Sequence, residues 1–88
     1  METRVALLSI IVSDGTSILR MNEILHDYAP YVIGRRGIPY RARNVNILSV
    51  AVDAPQEVIS AMSGKIGRLE GVSSRVTSAN VFSGDSAH

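Results

Sequence analysis

The sequence predicts an α+β fold in which four strands and two helices follow one another in the order β-α-β-β-α-β. Two apolar runs rich in β-branched residues, at positions 5–12 and 45–52, are typical of strands. Each run is followed by a segment whose apolar residues recur at helical spacing. A further segment, at positions 72–79, alternates apolar and polar residues, as a strand with one solvated face does.

The first strand and the first helix are predicted from residues 5–30. The run at 5–12 is apolar throughout, so we expect a strand buried on both faces. It ends at a turn signal, Ser13-Asp14-Gly15, after which Thr16 or Ser17 can cap a helix. The helix should end before Pro30. Its predicted apolar stripe consists of Ile18, Met21, Ile24, Leu25 and Tyr28.

The second and third strands are predicted to form a hairpin. The second covers residues 31–37, and Ile38-Pro39 is expected to break it. The third is the apolar run at 45–52, so a wide loop should connect the two strands.

The second helix follows the third strand. Pro55 suits its first helical position, and Gly67 and Gly71 mark its end and the following turn. Its predicted stripe consists of Val58, Met62, Ile66 and Leu69. The fourth strand completes a domain over residues 1–80, and the small, polar residues 81–88 are expected to form a flexible C-terminal tail.

These elements give a four-stranded antiparallel sheet with both helices on one face, which is the ferredoxin-like arrangement. Strands 1 and 3 are central in it, and they are the two strands with apolar residues on both faces. The uncovered face would then be a large apolar patch, which usually marks an interface. We favour a homo-oligomer, a two-fold dimer or a tetramer. The alternative is that Ser9 and Ser49 make the open face polar enough for solvent.

Composition excludes several classes of protein. The 88 residues have a formal net charge of +1, which argues against a generally basic nucleic-acid coat. There is no cysteine, hence no disulfide and no thiolate site. The N-terminus lacks a signal-peptide pattern, and the longest apolar run is too short to span a bilayer. We therefore expect a cytoplasmic protein that does not bind membranes.

The most concentrated chemical feature is an arginine segment at residues 34–44. It contains four of the nine basic residues, Arg35, Arg36, Arg41 and Arg43, and no acid lies between positions 27 and 53. The guanidinium group offers a planar fork of donors that suits carboxylate or phosphate. Tyr40 could anchor the hairpin against a neighbouring subunit.

Strand alternation limits what this segment can do. If Arg35 and Arg36 lie on a strand, they face opposite sides of the sheet, so the four arginines need not form one site. The alternative to a binding role is a solvated hairpin that makes a few ion pairs with Asp27 or Glu23.

The sequence also resembles a known family. Residues 32–41, VIGRRGIPYR, together with 46–55 and 60–72, resemble small stand-alone proteins described as regulators of the iron-only hydrogenase system. Asp14-Gly15 after the first strand and Val72 after Glu70-Gly71 are similar to ACT-type regulatory domains. The resemblance covers the chain up to about residue 79. It implies an ACT-like ferredoxin fold, self-association and a regulatory role.

The resemblance draws attention to a second candidate site, the turn that contains Asp14, Gly15 and Ser17. In ACT-type domains small ligands commonly bind at this strand-to-helix turn, and the free N–H groups of a helix start favour anions. The alternative, which we favour, is that Asp14 and Ser17 satisfy turn and helix-start groups.

Other chemistry finds little support. Nickel-responsive repressors have a similar ligand-binding fold, but their metal is held by several His and a Cys, and this chain has only His26 and His88. Gly64-Lys65 lacks the other residues of a phosphate-binding loop. No catalytic set is visible, so we expect neither an enzyme nor a cofactor.

The leading hypothesis is a regulatory, ligand-sensing homo-oligomer whose partner is an anionic small molecule or a regulated protein. The alternative is an interaction module that docks on a partner without a small ligand. Nucleic-acid binding is disfavoured because an aromatic platform is missing.

Overall fold

The computed structural model describes residues 2–79, so the predicted tail at 81–88 lies outside the described residues. The main elements in chain order are β1 (Arg4–Val12), α1 (Ile18–Asp27), β2 (Val32–Tyr40), β3 (Val45–Ala54), α2 (Gln56–Gly67) and β4 (Val72–Ala79). Single turns of 3-10 helix precede α1, precede β2 and join β2 to β3.

The four strands form one sheet in the order β2-β3-β1-β4, and every neighbouring pair is antiparallel. The two helices pack on the same face of this sheet. The predicted ferredoxin-like topology is therefore confirmed, with β1 and β3 in the centre.

The core lies between the helices and one face of the sheet. Alternate residues of β1 and β3 enter it, together with Met21, Ile24 and Leu25 from α1 and Ile59, Met62 and Ile66 from α2. The helical stripes are thus confirmed, with Ile59 as a buried member that the spacing did not predict. The strand at residues 5–12 was expected to be buried on both faces, but in the single chain this holds for one face only.

Two expectations about the hairpin are wrong. β2 does not stop at Ile38-Pro39 but continues to Tyr40. It is an edge strand, paired on one side only, and an edge strand accommodates a proline because one row of its backbone groups needs no partner. The connection to β3 is also short: one 3-10 turn, Arg41–Arg43, is followed by Asn44 in the left-handed conformation with φ 54°.

The second helix begins close to its predicted start. Pro55 is extended and precedes the first helical residue, Gln56, instead of occupying that position itself. The helix ends at Gly67, as predicted, and Gly71 has a positive φ of 68° in the turn before β4. Within residues 2–79, neither helix has the length and apolar character needed to cross a membrane.

Candidate ligand groove and open sheet face

Arg35 and Arg36 lie on opposite faces of the sheet, as strand alternation predicts. Arg35 is opposite the buried Val50, so it points to the helix side, whereas Arg36 is opposite the exposed Ser49. On the helix side, Arg35 Nη2 donates a hydrogen bond of 3.0 Å to Asn22 Oδ1 on α1. The segment that looked like one cationic site is therefore divided between two surfaces.

A groove runs between α1 and β2 on the helix side, and we call it the α1–β2 groove. It exists because the helices leave edge strand β2 uncovered: every residue of β2 is at least partly exposed. Gly37 widens it, since this residue has no side chain at the position opposite Leu48. The groove has a volume of about 260 Å³. Its lining residues include the buried Val12, Met21 and Leu48 and the polar Asn22, Arg35 and Asn46.

A second, more open basin shares Arg35 and Asn22 with the α1–β2 groove. It has a volume of about 400 Å³ and is lined also by Leu25, His26 and Val32. Arg35 and Asn22 therefore line both the groove and the basin, which lie beside the same helix.

Arg35 has no carboxylate partner among residues 2–79. The single ion pair found in that part of the chain joins Arg20 Nη1 to Glu23 Oε1 at 3.0 Å. The ion pairs with Glu23 or Asp27 that the solvated alternative included are thus not formed, whereas the exposure of the segment that it also included is observed. Arg35 is also the one charged side chain among the described residues that line the α1–β2 groove.

The opposite surface of the sheet, which we call the open face, carries six large side chains that are 37–51% exposed. They are Val5, Leu7, Ile11, Ile38, Tyr40 and Ile47. No element of the described chain covers them.

A polar row crosses the open face between these apolar side chains. The register aligns Arg36 of β2 with Ser49 of β3, Ser49 with Ser9 of β1, and Ser9 with Arg75 of β4. Neighbouring strands are about 4.8 Å apart, so the two arginine Cα atoms are separated by roughly 14 Å. Ser9 and Ser49 do dilute the apolar face, as the alternative proposed, but they form one row and leave apolar groups on both sides.

The two remaining arginines of the segment line neither the α1–β2 groove nor the polar row. Arg41 and Arg43 lie in the exposed 3-10 turn between β2 and β3. Tyr40 precedes them on the open face, opposite Val45, and is 50% exposed. The candidate residues of this segment thus occupy a groove, a sheet face and a turn.

The turn after β1 is organised by Asp14. Its Oδ1 accepts hydrogen bonds from the Thr16 backbone N at 3.0 Å and from Thr16 Oγ1 at 2.7 Å. These two bonds stabilise the carboxylate and lower the pKa of Asp14 below its ordinary value of 3.8. The Ser17 backbone N donates to the Asp14 carbonyl at 3.0 Å, and Gly15 opens the 3-10 turn.

The same turn is tied to the start of β4. Ser13 donates to the Gly71 carbonyl through its backbone N at 2.7 Å and through its hydroxyl at 3.0 Å. The Ser17 hydroxyl donates to the Glu70 carbonyl at 2.7 Å. Ser17 occupies the N-cap position of α1, as predicted, but its side chain makes no capping hydrogen bond there. This geometry favours a structural role for the turn, since the backbone N–H groups of Ser13, Thr16 and Ser17 are engaged in the single chain.

A family model matches residues 4–76 of the chain: the TM1266-like family, described as "Iron-only hydrogenase system regulator, putative". The chain belongs to this family. The match spans the α1–β2 groove, the open face and the Asp14 turn, and it confirms the resemblance found in the sequence.

Two solved structures share the fold of this chain. The uncharacterized protein TM1266 from Thermotoga maritima is 29% identical, with a TM-score of 0.86 over 90% of this chain and 100% of that one. An unknown protein from Galdieria sulphuraria shares the fold, with 19% identity, a TM-score of 0.61 and coverage of 92% of this chain and 48% of that one. No curated protein matches the chain.

Sequence reasoning did not identify four residues that shape these surfaces: Asn22, Gly37, Asn46 and Arg75. Each acquires its place through strand pairing or through the packing of α1 beside β2, so local patterns gave no signal. Among residues 2–79, no group of three or more His, Cys, Asp or Glu side chains is placed to hold a metal ion.

Proposed function

We propose that this protein is a non-enzymatic cytoplasmic regulator that acts as a homo-oligomer and responds to an anionic small molecule. The family description supports the regulatory role. The open face carries the proposal, because six large side chains, each 37–51% exposed, lie on one side of one sheet.

Burial of this face would give a substantial gain in free energy. Complete burial of one large aliphatic side chain stabilises by roughly 1.5–3 kcal/mol, so even partial coverage of six offsets much of the cost of association. A second copy presents the same face, and a two-fold axis lets one patch pair with itself.

Strand β2 links assembly to ligand binding. Arg35 and Gly37 face the α1–β2 groove, whereas Arg36 and Ile38 lie on the open face. A ligand that draws Arg35 toward the groove shifts the same strand that supplies the open face. Binding then changes the population of assembled states by its differential affinity for them.

Substitution of an open-face leucine tests the proposal. Leu7→Lys introduces a charge into the face, and we expect it to weaken self-association at least about tenfold, as measured by sedimentation equilibrium. Leu19→Lys is the matched control, since Leu19 is 72% exposed on α1, away from the sheet. A wild-type chain that stays monomeric at high concentration, or equal weakening by the two variants, would contradict self-association.

A second candidate function is an interaction module that docks on a regulated protein without a small ligand. The polar row favours it, because Arg36 and Arg75 outnumber Asp53, the exposed carboxylate that β3 adds to the same face, and so suit an acidic partner. In this case the wild-type chain is monomeric, and Leu7→Lys releases a protein partner captured from native lysate while Leu19→Lys retains it.

A further inference from the structure

The α1–β2 groove has the dimensions and walls of a small-molecule site. Its volume of about 260 Å³ lies just below the roughly 300–1,000 Å³ of pockets for drug-sized ligands, so it suits a smaller molecule with a short hydrocarbon chain. Val12, Met21 and Leu48 are almost fully buried and form its inner apolar wall, Ile18 and Pro39 are more exposed apolar members of the lining, and Gly37 leaves room beside Leu48. An apolar wall with a few polar groups at its rim is typical of small-ligand sites.

The charge of the groove selects an anion. Arg35 is the one charged side chain among its described lining residues, and its hydrogen bond to the Asn22 amide oxygen holds the guanidinium group at the rim without neutralising it. A guanidinium group binds a carboxylate through two parallel hydrogen bonds. One cation therefore suits a ligand with one negative charge.

The same lining disfavours an amino acid. An ammonium group needs a carboxylate to offset the cost of leaving water, and no acidic side chain is present among the described lining residues. Asn22 and Asn46 carry amides, which suit a neutral keto or hydroxyl group. Phosphate, with more charge and no apolar part, would leave the wall formed by Met21 and Leu48 unused.

We infer that the α1–β2 groove binds a small aliphatic monocarboxylate that carries no amino group. The carboxylate pairs with Arg35, and the hydrocarbon chain lies along Met21 and Leu48. The inference names the ligand class for the sensing role and rests on the proposed function in that respect. Binding itself requires only the single chain.

Titration of the ¹⁵N-labelled full chain with 3-methylbutanoate, followed by NMR, tests the inference. We expect saturable shifts at the Gly37 amide and at the side-chain amides of Asn22 and Asn46. Leucine, which adds an ammonium group to a similar carbon chain, and inorganic phosphate should each bind at least about tenfold more weakly.

Two pairs of variants locate the site. Measured at concentrations at which the chain is monomeric, Arg35→Gln should weaken binding at least about tenfold, whereas Arg36→Gln removes the same charge from the opposite face and should leave binding unchanged. Gly37→Val should fill the groove and weaken binding. Gly34→Val, on the open-face side of the same strand, should leave the groove open. Because a Cβ at Gly37 would lie 3.4 Å from Leu48 Cδ1, Gly37→Ala is the milder variant if valine prevents folding.

Several outcomes would overturn the inference: no saturable shift, equal loss of binding in the Arg35 and Arg36 variants, or binding of leucine or phosphate as tight as that of 3-methylbutanoate. Sedimentation of the same samples separates the two proposals. A self-associating chain without carboxylate binding refutes the groove assignment alone, and a monomeric chain that binds refutes the assembly alone.

Discussion

The two faces of the sheet are built from the same strands and differ in what covers them. On the helix face, Leu8, Val50 and Val52 are fully buried. On the open face, their neighbours Leu7, Ser49 and Ala51 alternate between apolar and polar character and remain at least partly accessible. Adjacent residues of one strand therefore lie in different surroundings: one face packs against the two helices, and the other presents apolar side chains to solvent.

The adjacent leucines of β1 give the largest expected effect. Leu8→Ala leaves a cavity in the core and should lower the free energy of unfolding by about 2–5 kcal/mol. Leu7→Ala removes the same atoms from a side chain that is 41% exposed and should cost less than about 1 kcal/mol. Urea unfolding at concentrations at which the chain is monomeric measures both. Similar losses would show that the two faces do not differ in the way described.

The turn before β4 tests whether burial alone explains stability. Gly71 is exposed, yet its φ is 68° and a Cβ there would lie 2.5 Å from Asp14 Cβ. Gly71→Ala should therefore lower the free energy of unfolding by at least about 2 kcal/mol. Gly64→Ala is the control: Gly64 lies in α2, where a Cβ would be 3.6 Å from Arg68 Nη1, and the substitution should stabilise by up to about 1 kcal/mol. Equal effects in thermal unfolding would contradict this account of the turn.

The smallest expected effect concerns the exposed carboxylate of Asp14. Its pKa is lowered in the folded chain, so its contribution to stability is complete above the unfolded value of 3.8 and is lost as pH falls through the folded value. Asp14→Asn should therefore reduce the loss of stability on acidification below about pH 4. Urea unfolding at a series of pH values, with Asp53→Asn as the control, measures it. If the free energy of unfolding of Asp14→Asn falls with pH as steeply as that of the wild-type chain, the Asp14 carboxylate does not contribute to the acid dependence.

Local patterns were sufficient for most of the fold. The helical spacing of Met21 and Leu25 predicted α1, and the alternation at residues 72–79 predicted β4 with its observed bounds. The break at Pro39 was wrong because a proline is excluded from central strands only, and whether a strand is at an edge depends on the whole sheet. The predicted side-chain cap of α1 is not formed. The Ser17 hydroxyl donates instead to a carbonyl that lies 53 positions further along the chain.

The candidate sites were less accessible to sequence reasoning. The cluster of arginines was visible, and strand alternation correctly separated Arg35 from Arg36. The polar row was not, because Arg75 joins Arg36 only through three strand pairings. The groove likewise depends on the absence of a side chain at Gly37 and on α1 leaving β2 uncovered, which no local pattern records.

Pro39 has a consequence for how this protein can aggregate. An edge strand offers a row of free backbone donors and acceptors that another strand can extend into a continuous ribbon. Proline supplies no donor, and the irregularity of pairing between Val32 and Gly34 distorts the same edge near its other end. Both features therefore oppose the addition of a further strand along β2.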